Sequence, residues 1–322
     1  MKRFRLFRVT QEIRDKHADV ERITPDTFIY PYFVTEGVGV TLDVPSMQGV
    51  FRFSIDRLLH DIGELQGLNI NKVLLFGVVD EHQKDADGSL GYSSDSLICR
   101  AVRAIKTQFP QIMVFTDVCL CEYTSHGHCG LLEGQDVNND ATLPLLVEMA
   151  YQHAVAGADF VAPSAMMDGQ IEAIRLRFDK ERLPTGILSY SAKYASAFYG
   201  PFRDAAGSCP SFGDRKTYQM DYRTRNQGLE EIAADIEEGT DWIMVKPAMS
   251  YLDILSRASQ QFRHHPLVAY QVSGEYSMLI NGAAQGFFDE KAVFLESLTA
   301  MRRAGAQYII SYYAKKFVTQ GL

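Results

Sequence analysis

Three cysteines, Cys119, Cys121 and Cys129, stand within eleven residues at the spacing C-x-C-x7-C. Three thiolates suit a soft, tetrahedral metal ion, above all zinc, and three protein ligands leave a fourth position open for chemistry. His126 and His128 lie in the same stretch, CEYTSHGHCG, as candidates to supplement or replace a ligand. The plainer reading is three reduced thiols in a metal-free loop.

Two lysines form a second group. Lys246 ends the apolar run WIMVK, and Lys193 lies two residues beyond the run GILSYS. Lysine is depleted from buried strands. Two ammonium groups held close and away from water depress one another's pKa. A neutral amine is the nucleophile that forms a Schiff base with a ketone. The alternatives are a snorkelling lysine at a strand end and an ordinary loop lysine.

Anion-binding groups make a third set. Arg203, Arg215 and Lys216 lie among Phe198, Tyr199, Phe202 and Phe212. Such a loop could close as a lid over a carboxylate, because arginine offers a bidentate fork. The hydroxyls of Ser273 and Tyr312 are candidates to hold a second carboxylate. Asp117 and Ser164 stand at the ends of apolar runs and would face the same mouth.

The elements that must position these residues are eight short apolar runs: 27–34, 72–78, 113–118, 160–164, 186–191, 242–247, 267–274 and 308–314. Near-continuous apolar runs suit parallel strands buried on both faces. Amphipathic stretches alternate with them: 54–65, 95–105, 143–156, 229–238, 252–262 and 290–303. Three helical stretches end in Gly157-Ala158-Asp159, Gly239-Thr240-Asp241 and Gly305-Ala306-Gln307, with glycine as a left-handed stop. The pattern predicts an α/β fold, a (β/α)8 barrel over 26–322 with an N-terminal arm over 1–25. A doubly wound sheet fits less well, because no Gly-rich turn follows the first strand. Two long connections, 119–141 and 192–227, leave strand C-termini, the catalytic face of such barrels.

The 322 residues carry a net charge of −8, with 46% hydrophobic and 22% charged residues. That is an ordinary globular composition. A net anionic chain argues against nucleic acid as a partner. No run approaches the ~20 apolar residues of a membrane span, so no membrane partner is expected. The odd cysteine count and the absence of a signal-like start predict a cytoplasmic protein with reduced thiols.

The segments TDVCLCEYTSHGHCG (116–130), SYSAKYASAFYGPFRDAAGS (189–208), FGDRKTYQMD (212–221), MVKPA (244–248) and YQVSGEY (270–276) closely resemble the porphobilinogen synthase (5-aminolaevulinate dehydratase) family. The resemblance runs from about residue 28 to 314. It implies a lyase that condenses two 5-aminolaevulinate molecules to porphobilinogen with loss of two waters, in tetrapyrrole (haem) biosynthesis. It implies Lys246 and Lys193 as the Schiff-base lysines, for the propionate and acetate halves of the product respectively. By resemblance, Arg203, Arg215 and Gln219 hold the second substrate's carboxylate, and Ser273 and Tyr312 the first's. Asp117 and Ser164 surround the substrate amine, and Cys119, Cys121 and Cys129 hold Zn2+. Glu231 falls where members bind an allosteric Mg2+. The resemblance also implies a homo-oligomer, an octamer built through the arm.

The chain departs from the family pattern at Ala165 and Gln170, where members usually have Asp and Arg, which touches expected intersubunit or regulatory contacts. Two other readings compete with this one. A class I aldolase explains Lys246 but not the second lysine or the cysteines. A silent binding barrel would be expected to have lost a lysine, and both are present.

Overall fold

Residues 1–20 and 22–322 are described by a computed structural model. Each apolar run forms a strand: Phe28–Thr35, Lys72–Val78, Met113–Val118, Phe160–Pro163, Gly186–Lys193, Trp242–Lys246, Leu267–Tyr270 and Tyr308–Ile310. These eight pair in parallel in sequence order. The last closes on the first through Phe28 opposite Ile309. The sheet is therefore a closed barrel, as the alternation predicts. Two short strands, Thr41–Asp43 and Phe51–Phe53, extend it beside the first barrel strand.

The Gly-Ala/Thr-Asp/Gln stops recur for a structural reason. All three glycines adopt positive φ, between 98° and 107°. The residue two places on then accepts a hydrogen bond from the neighbouring strand: Asp159 from Val114 N–H at 2.7 Å, Asp241 from Ile187 N–H at 2.7 Å, and Gln307 from Leu267 N–H at 3.3 Å. Each motif thus stops a helix and fixes the start of a strand pair. Without such a partner a buried N–H would cost about 1–3 kcal/mol.

Aromatic side chains plug the N-terminal end of the barrel. Trp242 stacks on Tyr308 at 4.4 Å, and Phe115 on Phe160 at 4.8 Å, with Phe160 and Trp242 4.9 Å apart. Pairs of this kind contribute about 0.5–1.5 kcal/mol each beyond area burial. Polar and charged residues then collect at the opposite, C-terminal end.

Helices Ile55–Gly67, Leu97–Gln108, Asn139–Val155, Gln227–Glu237, Leu252–Gln261 and Glu290–Arg303 match the expected amphipathic stretches to within a few residues. Helices Gln170–Glu181, Gly200–Ala206, Ser273–Ala284 and Ala314–Thr319 were not expected. Two expected strand ends are shorter in the structure. Ser273 does not end the seventh strand but opens a helix, and Tyr312 lies two residues past the eighth. Ahead of the barrel, the chain forms a short 3-10 turn, Phe4–Phe7, and a six-residue helix, Gln11–Lys16, neither with a buried residue.

Candidate active site

Lys246 is the last residue of the sixth strand, and in register opposite it stands Lys193, the last residue of the fifth. Lys193 therefore belongs to the strand rather than to the loop expected after it. Both side chains are buried, each 5% exposed. The Lys246 ammonium nitrogen sits 4.5 Å from the ring centre of Tyr270, 4.9 Å from Tyr190, 5.1 Å from Phe202 and 5.2 Å from Tyr199. Burial, and next the Lys193 charge, pull its pKa down to about 7. Lys193 Nζ donates to the Ser164 carbonyl oxygen at 2.5 Å. Ser164 Oγ donates to Asp117 at 3.1 Å. Burial pushes the Asp117 carboxyl up to about 6, against the pull of both lysines.

The third strand ends at Val118, and the chain turns at once into the cysteine loop. Cys119, Cys121 and Cys129 are buried, and their sulfurs all lie within 4.8 Å of one another. A tetrahedral zinc with bonds of about 2.3 Å needs sulfurs roughly 3.8 Å apart, so the three thiols fit the ion. Hydrogen bonds from Cys119 and Cys121 hold the Cys129 thiol well below the usual range, with Arg215 and Lys193 assisting. That is the protonation state a metal ligand requires, whereas Cys119, chiefly by burial, and Cys121 are pushed well above the usual range. The histidines do not join them. His128 Nε2 donates to the Phe212 carbonyl at 3.1 Å and Nδ1 accepts from Tyr218 Oη at 3.2 Å. His126 Nε2 donates to the Ala86 carbonyl at 3.1 Å and Nδ1 accepts from His128 N–H at 3.1 Å. With both ring nitrogens engaged, each histidine braces the loop.

The long connection after the fifth strand folds over the mouth. Arg203 lies on helix Gly200–Ala206, and its neighbour Phe202 covers Lys246. Arg215 donates to the carbonyls of Gly127 at 2.8 Å and Ser208 at 2.5 Å, tying the lid to the cysteine loop. A side chain at Gly127 would meet the Cys209 carbonyl at 2.3 Å, so glycine permits this approach. The narrow cavity of about 20 Å3 beneath the lid is lined by Asp117, Lys193, Lys246, Arg203, Arg215 and Gln219, among others. Arg203 Nε, Arg215 Nε and both amide atoms of Gln219 are buried there with no hydrogen-bond partner. Unpaired buried donors are costly, and these three converge where an incoming carboxylate would satisfy them.

Ser273 and Tyr312 do not line this cavity. Ser273 Oγ accepts from Phe202 N–H at 2.9 Å and donates to the Phe198 carbonyl at 3.3 Å, latching the lid. Tyr312 Oη is 3.1 Å from Tyr270 Oη, one ring removed from Lys246. Glu231 lies apart, on the barrel's outer side. It lines a cavity of about 690 Å3 with Asp168, Gln170, Asp235 and Glu238, and burial pushes its carboxyl upward. Ala165 is fully buried, and Gln170 accepts from Met167 N–H at 3.4 Å.

Glu122 and Tyr190 went unremarked in the sequence. Glu122 is buried beside Cys121, which donates to it at 3.4 Å, and burial with Asp117 nearby pushes it up to about 8. Its signal was a carboxylate next to a cysteine pair. Tyr190 lies under both lysines, its phenol pushed up by burial and then by Asp117. Its signal was an aromatic residue between two serines in an apolar strand.

An amine lowered to about 7 beside a second lysine, three clustered thiols and two arginines with unpaired Nε donors together suit imine chemistry on a small carboxylate-bearing ketone. The comparisons agree with this. The family profile described as delta-aminolevulinic acid dehydratase matches residues 1–320. The enzyme of that name from Halalkalibacterium halodurans is 48% identical over 315 residues, 98% of this chain and 95% of its own. That from Bacillus subtilis is 48% identical over 316 residues, 97% and 96% of the two chains. The crystal structure of the Toxoplasma gondii enzyme in complex with the product porphobilinogen superposes with a TM-score of 0.96 at 41% identity. The match covers 99% of this chain and 91% of that one. This chain belongs to the delta-aminolevulinic acid dehydratase, or porphobilinogen synthase, family.

Proposed function

We propose that Lys246 and Lys193 each form a Schiff base with one molecule of 5-aminolaevulinate. The chain is a hydro-lyase that condenses two such molecules to porphobilinogen with loss of two waters. The observation that carries the lysine reading is the register of Lys246 opposite Lys193, with the Lys246 amine lowered to about 7. At neutral pH a large share of it is the free base, able to attack a ketone carbon. Imine formation expels each ketone oxygen as water, which accounts for both waters. The substrates then join through one carbon–carbon and one carbon–nitrogen bond, and each lysine is released as an amine.

Asp117 and Ser164, hydrogen-bonded to each other beside Lys193, are the proposed holders of the substrate ammonium group. Arg203, Arg215 and Gln219 take the second substrate's carboxylate. Ser273 and Tyr312 take the first's once the lid lifts and frees the serine hydroxyl. Cys119, Cys121 and Cys129 would hold zinc, which when bound supplies a Lewis acid beside the reacting groups. Glu231 is the proposed contact of a regulatory magnesium. Residues 1–25 are proposed as an arm that builds a homo-oligomer. Among the described residues no helix is long and apolar enough to cross a membrane. The five unpaired cysteines suit the reducing cytoplasm.

The test combines a colorimetric pyrrole assay with borohydride trapping. Borohydride added with 5-aminolaevulinate leaves a reduced adduct on the Lys246 peptide, and Lys246→Ala abolishes turnover. Lys246→Arg gives no rescue, because guanidinium stays protonated. An adduct found only elsewhere, or normal turnover in Lys246→Ala, overturns the assignment.

A further inference from the structure

The fifth strand is irregular where it matters for catalysis. Ser189 pairs with Ile243 and Ala192 with Val245, so three steps on this strand answer two on the sixth. Side chains alternate along a regular strand. Tyr190 faces the interior, beneath Lys246. Three residues on, an unbroken alternation would turn Lys193 toward the helices. The extra residue reverses this, and Lys193 reaches the Ser164 carbonyl inside the mouth. Bulges re-aim side chains in this way.

The residues flanking Tyr190 point outward and are tied together. The hydroxyls of Ser189 and Ser191 are 2.6 Å apart, and Ser189 donates to the Asp235 carboxylate of helix Gln227–Glu237. Ser189 is fully buried and Ser191 nearly so. A bulge leaves its extra residue outside the ladder, so contacts beyond the ladder help to fix it. The geometry points to Asp235 as a positioning residue. Its carboxylate gathers Ser189 and Ser191, fixes the bulge, and so aims the Lys193 amine at the second substrate. Asp235 touches no substrate itself. The inference rests on the Schiff-base reading of Lys193.

The experiment uses the full-length zinc-loaded enzyme and its Asp235→Asn, Ser191→Ala and Ser191→Thr variants. Threonine keeps the hydroxyl, and its methyl has room in the adjoining cavity that Ser191 and Asp235 line. Adducts trapped by borohydride with 5-aminolaevulinate are apportioned between Lys193 and Lys246 by mass spectrometry, beside melting temperature and zinc content. The expected result is a ten-fold or greater fall of the Lys193 share in Asp235→Asn and Ser191→Ala. The Lys246 adduct and zinc content persist, and Ser191→Thr recovers most of the Lys193 share. An unchanged Lys193 share in either folded variant overturns the inference, as does a Ser191→Thr enzyme no better than Ser191→Ala. If Asp235→Asn does not fold, the Ser191 pair decides. Absence of a Lys193 adduct in the wild type instead sinks the Schiff-base reading of that lysine.

Discussion

Burial costs a cation its hydration, and a second cation adds repulsion; both act on Lys246. The consequence is a measurable pH dependence. Adduct formation at Lys246 is expected to rise as the pH rises through about 7, where its amine loses the proton. Lys193→Ala removes the repulsion, so the midpoint should move to higher pH while the adduct still forms. A midpoint that stays put, read by mass spectrometry across a pH series, means that the two amines do not interact. The cysteines give a second expectation at this scale. Chelation abolishes activity, zinc restores it, and magnesium alone does not. Full activity in a rigorously zinc-free preparation refutes a catalytic ion at Cys119, Cys121 and Cys129. Lys246 was legible because a lysine is out of place in an apolar strand, the cysteines because three stand within eleven residues, and Lys193 only as a second lysine near the end of the adjoining run. Glu122 and Tyr190 were not, because their roles come from burial and from contacts across strands.

At the scale of elements, the strands were legible because a parallel barrel strand is apolar on both faces. The bulge was not, because nothing in GILSYSAK marks an extra residue, and Lys193 was therefore placed in a loop. Helix Ser273–Ala284 also escaped, since it buries residues on several sides and shows no clean stripe. The lid was legible as a long loop with arginines among aromatics, but its latch on Ser273 was not. The structure adds that the lid closes onto Lys246 itself, through Phe202. Arg203→Ala and Arg215→Ala should each remove a charge-assisted contact of about 1.5–3 kcal/mol, a ten-fold or greater rise in half-saturation for the second substrate. Lysine at either position should rescue only in part, lacking the planar fork. Arg215→Ala should also loosen the cysteine loop, since it spans the Gly127 and Ser208 carbonyls. Wild-type kinetics in both alanine variants would mean that the loop only covers the barrel.

At the scale of the whole molecule, the barrel closes on itself and satisfies its own sheet, but the N-terminal segment has no such support. Helix Gln11–Lys16 buries no residue, and Phe4, Leu6, Phe7 and Val9 are each at least half exposed. An isolated helix of this length is unstable in water, so the arm is expected to pack on a surface outside this chain. The first twenty residues carry six basic and three acidic side chains, whereas the whole chain is −8. A basic, apolar arm on an acidic body suits the flank of a second copy. The full chain should therefore sediment as an oligomer. A truncation beginning at Arg22 should fall to a smaller species that keeps the far-ultraviolet circular dichroism of the barrel. Because part of the attraction is between exposed charges, molar salt should weaken assembly, screening them beyond a few ångströms. A full-length chain that sediments as a monomer at micromolar concentration, or a truncation whose assembly is unchanged, would show that the arm does not join copies.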